Sequence, residues 1–307
     1  MFRFASKLKT YEINGIKIGG QPGELPTVLV GNIFYQGMPE ITNHENGEFD
    51  VVAVSRWLNV SDDLSEKTGV PHFLDVMASF PKAMNKYIRF IAERTSAALL
   101  IDGATPETRI EGLKAVKEHG LQKRAVFNAI SPQITQEELV AIRDSGVSSA
   151  ILMAQNDSDY SAYGRVSILR GFEKQKGLLD IAKEVGVDKI LVDTIVFDIP
   201  SIAYAVEAIR LVKEEFGLPA GCSPANATYD WKLAQDRALR KGFGAYNASA
   251  HTIAQIGGAN FLIYGPIKQV RNVIPSCAMT DAIIAYNATK QYRTKPLVES
   301  HPLYKIF

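Results

Sequence analysis

The chain has 307 residues, and 34 Lys and Arg against 33 Asp and Glu leave a net charge of +1. That balance, without a block of like charge, argues against a nucleic-acid groove or a membrane-surface arm. Two cysteines, Cys222 and Cys277, are too few for a disulfide framework or a cysteine zinc site; no signal-peptide stretch opens the chain and no window nears the ~20 apolar residues of a membrane span, so a cytoplasmic protein is expected.

Residues 1 to 26 contain Tyr11-Glu12-Ile13 and Ile16-Lys17-Ile18 around Asn14-Gly15, an Asn-Gly hairpin signal. Ahead of a barrel such a hairpin would plug the N-terminal end as a structural lid, functional loops belonging to the other face. Thr27 to Gly31 is the first predicted strand. The polar stretch Asn32 to Asp50 follows, long enough to be functional and expected over the mouth of the barrel.

From there apolar runs alternate with amphipathic segments. Predicted helices span Val51 to Lys67, Lys82 to Thr95, Pro106 to Gly120, Thr135 to Ser145, Phe172 to Val185, Ile202 to Phe216, Asp230 to Gly242, Tyr246 to Gly257 and Ser276 to Thr289. Pro106 and Gly120 follow the start and stop asymmetry of helices, and Thr135 with Glu138 makes a capping box. Residues 290 to 307 form a tail that packs on the barrel or on another protomer. The eight predicted strands end near Gly31, Asp75, Asp102, Asn128, Asn156, Asp193, Ser223 and Gly265.

Short apolar runs that stop on a polar residue and lead into a helix read as buried parallel strands. Eight of them in a chain this long give an α/β protein with one domain over 1–307, a single (β/α)₈ TIM barrel, a fold of about 250 residues whose active sites lie at the C-terminal rim of the strands. A doubly wound sheet is the competing architecture, disfavoured because no G-x-G-x-x-G follows the first strand.

Asp102, Asn128 and Asp193 end the third, fourth and sixth strands, one per βα unit, and would face one cavity. Two carboxylates and an amide suit a planar heterocycle carrying both N–H donors and acceptors. Each alone is also a favoured helix N-cap type. Gly221 to Thr228 after the seventh strand is an open loop in which Ser223 and Asn226 approach a ligand, or in which Asn226 caps a helix. Cys222 reads as a small buried hydrophobe. The five histidines show no zinc spacing, and Asn156, Asp157 and Asp159 read as a solvated loop as readily as a metal site. Lys189 opens its strand and would face the opposite rim, against a Schiff-base mechanism.

The strand ends LLIDGAT, VFNAIS, ILVDTIVFD and GCSPANATYDW, with FLIYGPI near the end, resemble the family of the H subunit of tetrahydromethanopterin S-methyltransferase over about Pro26 to Ala288. Within it the chain looks similar to free-standing bacterial members that move a methyl group between a corrinoid and tetrahydrofolate, as in glycine betaine demethylation. These are related to pterin-binding barrels such as dihydropteroate synthase. The resemblance implies a methylcobalamin:tetrahydrofolate methyltransferase, with Asp102, Asn128 and Asp193 holding the pterin and Asp75, Gly221 and Ser223 lining its pocket. It implies catalytic roles for Asp193 and for Asn226 at N5, although Pro224 and Ala225 separate Asn226 from the serine that related barrels place directly before their asparagine. Methylcobalamin or a corrinoid protein is the implied methyl partner, over the mouth. A tetrahydromethanopterin-dependent subunit, a dihydropteroate synthase-like enzyme and a non-catalytic corrinoid-docking subunit are the alternatives. A homodimer is expected on the prevalence of two-fold symmetry.

Overall fold

The computed structural model describes residues 2–172 and 175–306. A hairpin, β1 (Thr10–Ile13) and β2 (Ile16–Gly19), precedes β3 (Val28–Ile33), a small hairpin β4 (Ile41–Asn43) and β5 (Glu48–Phe49), and helix α1 (Val51–Thr68). The chain then alternates through β6 (His72–Ala78), α2 (Pro81–Arg94), β7 (Leu99–Gly103), α3 (Pro106–Glu118), β8 (Ala125–Ile130), α4 (Gln136–Ser145), β9 (Ser149–Met153) and α5 (Ala162–Arg170). Next come the short β10 (Gly171–Phe172) and β11 (Gln175–Lys176), α6 (Leu178–Glu184), β12 (Lys189–Asp193), α7 (Ser201–Phe216), β13 (Ala220–Cys222), α8 (Pro224–Asp230), α9 (Phe243–Ile256), β14 (Phe261–Pro266) and α10 (Val270–Tyr292). Strands β3, β6, β7, β8, β9, β12, β13 and β14 close into a parallel barrel, β14 pairing back onto β3. No helix among the described residues is long and apolar enough to cross a membrane.

Successive residues of a strand alternate between faces, so each barrel strand contributes every second side chain to the interior. Val28, Val30, Phe73, Leu100, Val126, Ile151, Leu191, Phe261 and Ile263 form that inner core, and Ile13 and Ile18 of the hairpin join it with almost no exposed surface. The β1–β2 hairpin turns on Asn14 (φ 51°) and Gly15 (φ 78°), the paired positive φ of a type I′ turn. It is pinned to the N-terminal ends of the strands: Lys189 Nζ donates to the Glu12 carbonyl at 2.8 Å, and the Asn14 amide to Lys123 O at 3.2 Å. The hairpin is therefore the expected plug at the N-terminal end, and it completes the core from below.

Other expectations need correction. Asn32 to Asp50 does not cover the mouth as a loose loop. Phe34 stacks on Tyr87 at 3.9 Å and Phe49 meets Phe90 at 4.9 Å, while Lys82 Nζ donates to Asn46 Oδ1 at 2.7 Å, so the segment is a folded hairpin seated on α2. The predicted helix Phe172 to Val185 is only α6, with α5 before it; Gly171 (φ 86°) ends α5, and Gly177, where a side chain would strike the Arg170 backbone, begins α6. Glu173 and Lys174 of that predicted helix lie outside the described residues. Asp230 to Gly242 is not a helix but two 3₁₀ turns, because Pro224 starts α8 directly after Ser223, and Trp231 and Asp236 take extended backbone angles. Helix α10 begins at Val270 rather than Ser276, with Pro275 in its second turn. The tail needs no correction: of the two packings expected for it, the structure shows the one on its own barrel, the Leu297 amide donating to Glu24 O at 2.8 Å and His301 fully buried.

Candidate functional site

Read along the inward face of each strand, the barrel interior changes character from bottom to top. Val30 gives way to Asn32, Phe73 to Asp75, Leu100 to Asp102, Val126 to Asn128, and Leu191 to Asp193. A step of two residues moves from the apolar floor to a polar layer on the same face. That layer, with Met77, Arg109, Ala129, Ser131, Met153, Ser223, Asn226 and Ile263, encloses a cavity of about 260 Å³ at the C-terminal end of the barrel. Sites for drug-sized ligands run to roughly 300–1,000 Å³, so the space suits a compact ring system and excludes a macrocycle.

Three carboxyl groups converge here. Asn128 Nδ2 donates to Asp75 Oδ1 at 3.3 Å, and Asp75 shares a hydrogen bond with Asp102. Burial and then repulsion from Asp102 push the Asp75 carboxyl well above its ordinary range, so Asp75 carries the proton of the pair. Burial also raises Asp102, to about 6, against the opposing pull of the Arg109 guanidinium. Asp193 is raised by burial to about 6, moderated by the Ile195 amide, which donates to its Oδ1 at 2.8 Å, and by Arg165. Asp102 and Asp193 thus remain acceptors at neutral pH while Asp75 is a donor.

The loop after β12 is held from beneath. Arg165 of α5, only 2 % exposed, donates through Nη1 to Thr194 O at 2.7 Å and Ile195 O at 2.6 Å and through Nε to Tyr160 O at 3.0 Å. Its guanidinium fixes the turn that carries Asp193. On the far side of the cavity, Ser223 Oγ donates to the Ile263 carbonyl at 3.2 Å and stands 3.2 Å from Asn226 Oδ1. Asn226 Nδ2 reaches Val196 O at 3.4 Å, tying the loops after β12 and β13 together. Pro224 and Ala225 do not separate the serine from the asparagine in space. They occupy the first turn of α8, and residues three apart on a helix are neighbours.

Of the residues expected from sequence, Asp75, Asp102, Asn128, Asp193, Ser223 and Asn226 line the cavity together. Gly221 does not. It lies lower on β13, where a side chain would strike the Phe261 carbonyl, so its bareness serves the packing of β13 on β14. Asn156 is not a strand end either: β9 stops at Met153, which lines the cavity, while Asn156 Oδ1 accepts from the Ser158 amide at 3.0 Å in a local turn. Cys222 faces outward and is fully buried. Asn32, Arg109 and Arg165 were missed. Asn32 lies one residue past the predicted end of its strand, and Arg109 seven residues into the next segment after Asp102. The helix bearing Arg165 was not predicted at all.

The sequence profile of the MtrH subunit of tetrahydromethanopterin S-methyltransferase matches residues 6–296. The chain belongs to this family. The tetrahydromethanopterin S-methyltransferase H subunit from Methanothermobacter thermautotrophicus is 34% identical over 311 residues, covering 100% of both chains, and that from Methanopyrus kandleri is 33% identical over 318 residues, covering 98% of each. The H subunit of a protein named putative methyltransferase mtx, from Methanosarcina acetivorans, is 32% identical over 290 residues, covering 93% of this chain and 94% of the other. Among solved structures, dihydropteroate synthase of Yersinia pestis superposes with a TM-score of 0.58 at 15% identity, over 91% of this chain and 99% of that one. At that identity the likeness is one of fold, a closed parallel barrel with flanking helices. The relatives support the methyltransferase family and leave the narrower resemblance to tetrahydrofolate enzymes of glycine betaine demethylation without support of its own.

Proposed function

We propose that this MtrH-family chain binds a reduced pterin in the cavity above the barrel core and serves methyl transfer between the pterin N5 and the cobalt of a corrinoid presented at the mouth. The observation that carries the reading is the polar layer itself: three buried carboxyl groups, all raised by burial, and an amide, on four strands of a barrel from a pterin-named family. Their donor and acceptor set matches the mixed edge of a pterin ring. The names of the relatives put tetrahydromethanopterin forward as the pterin, in place of tetrahydrofolate.

In the direction from methylpterin to corrinoid, the N5–CH₃ bond breaks, the carbon passes to the metal, and N5 keeps the electron pair and takes a proton. A bound corrinoid supplies the nucleophile for the methyl carbon in this direction and the methyl group in reverse. The protein's own residues orient and hold protons. Asp102 and Asp193 accept ring N–H groups, Asp75 keeps a proton among the cavity side chains at neutral pH, and Asn226 stands at the rim with an amide that can donate or accept at N5. Orientation and preorganised charge are sufficient for such an in-line transfer.

Partners follow from the same geometry. The cavity holds a ring but not a macrocycle, so the corrinoid remains at the mouth, free or on a protein. The outer face of α9 and α10 exposes Ile253, Ile256, Met279, Ile283 and Tyr286, which supports packing against another chain, a second copy being the first expectation.

The test is spectroscopic. Under anoxia the protein is mixed with cob(I)alamin and either N5-methyltetrahydromethanopterin or N5-methyltetrahydrofolate. Growth of the methylcobalamin spectrum with the first supports the proposal, and growth with the second alone reinstates tetrahydrofolate. No change with either, free or with a corrinoid protein, overturns it.

A further inference from the structure

Arg109 is the one full cation lining the cavity among the described residues, and neither the family match nor the strand-end pattern assigns it a task. It is built in from two sides. Its Nε donates to Glu138 Oε1 at 2.6 Å, and Glu138 has no exposed surface. The other Glu138 oxygen accepts from the Thr135 amide and hydroxyl, both at 3.0 Å, so the capping box of α4 doubles as the anchor of a cavity residue. Its Nη1 donates to the Gly103 carbonyl at 2.7 Å, at the end of β7 and next to Asp102. Gly103 has to be bare, since a side chain there would lie 2.9 Å from the Arg109 Cγ. Nη2 has no protein partner among the described residues.

A guanidinium locked by a buried glutamate does not need to sit in a cavity to hold two helices together. Its place beside Asp102 is what the capping box and Gly103 secure. We propose that Arg109 is a positioning residue of the ligand site, acting through Asp102: Glu138 and the Gly103 carbonyl hold its charge at the end of β7, where it supports Asp102 as an acceptor of ring N–H groups. This deepens the pterin reading and rests on it.

The groups facing Asp102 are Asp75 on β6, whose proton it shares, Asn128 on β8 and Arg109 on α3; Asp193 on β12 faces the same cavity, and Arg109 is itself faced by the buried Glu138 on α4, with Glu107 beside it on α3. Only Arg109 brings positive charge to Asp102. Without it the carboxyl takes a proton at higher pH, and an acceptor is lost from the site. Lysine at 109 keeps the charge; methionine keeps only the stem.

The test measures the affinity of the full chain for N5-methyltetrahydromethanopterin by calorimetry between pH 5 and 8. The wild type should lose affinity as pH falls through about 6, the value to which both Asp102 and Asp193 are raised, and only the Asp102 share should respond to position 109. Arg109→Met should move that midpoint up by about one pH unit, as loss of an adjacent opposite charge does, and so bind about twofold more weakly at pH 7 and about tenfold more weakly near pH 5. Arg109→Lys should restore most of the midpoint. In an Asp102→Asn background, Arg109→Met should cause no further shift. A midpoint unchanged in Arg109→Met, with wild-type binding intact, overturns the inference and leaves the pterin site standing. A melting temperature lowered with an unmoved midpoint assigns Arg109 a structural role only. Absence of pterin binding by the wild type overturns both.

Discussion

The two ends of the barrel are built on opposite principles. At the N-terminal end, Ile13 and Ile18 close the core with apolar side chains, and the polar atoms around them are backbone groups met by Lys189, Asn14 and Lys123. At the C-terminal end, the same inward positions two residues further along each strand carry Asp75, Asp102, Asn128 and Asp193, and burial lifts all three carboxyls above their ordinary range. One end gives its interior to stability. The other holds groups that are costly to bury, the arrangement expected where a ligand supplies the missing partners.

Replacing residues at one end should therefore leave the other untouched. The largest effect belongs to the plug: Ile18→Ala should destabilise the protein by about 2–5 kcal/mol, as emptying a filled core site does, without changing pterin affinity. Chemical denaturation with calorimetry on the same sample checks both halves. At the mouth, Asp193→Ala or Asn128→Ala should weaken pterin binding at least about tenfold, the effect of losing a charged or paired hydrogen bond, with no loss of melting temperature. Unaltered binding in both would remove these residues from the site.

A smaller effect separates the ends by pH. The folded value of Asp193, about 6, lies above the usual 3.8 of an aspartate, so its burial penalty is in force above pH 6 and fades as pH falls toward 4. Asp193→Asn should raise the melting temperature at pH 8 by more than at pH 4.5. An equal shift at both would show that the charge is not the cause. Smallest is a contact in the barrel wall, away from either end. His72 Nε2 and the Tyr264 hydroxyl lie 2.7 Å apart across Gly31, where a side chain would strike the hydroxyl. Tyr264→Phe should cost about 1 kcal/mol and leave binding unchanged.

How much of this was legible in the sequence follows from the same contrast. The eight strands and the plug were readable because each is a local pattern: an apolar run ending on a polar residue, and an Asn-Gly turn between alternating strands. Asp102, Asn128 and Asp193 were readable because strand ends project onto one rim, while Asp75 entered the site through the family resemblance. Asn32 was lost to a one-residue error in a strand end. Arg109 and Arg165 were illegible because they reach the site from helices, and helix periodicity does not mark a side chain that points back toward the strand ends. The segment from Asp230 to Gly242 misled for the opposite reason: its residues favour helix, but Leu233 and Leu239 find no core to bury against and remain exposed.

The central claim is that the polar end of the barrel is a pterin site while the apolar end is not involved. Titration calorimetry with N5-methyltetrahydromethanopterin on the wild type, Asp193→Ala and Ile18→Ala tests it directly. The expected result is binding by the wild type and Ile18→Ala with equal affinity, and binding at least about tenfold weaker by Asp193→Ala. Equal affinity in Asp193→Ala, or no binding by the wild type, would contradict it.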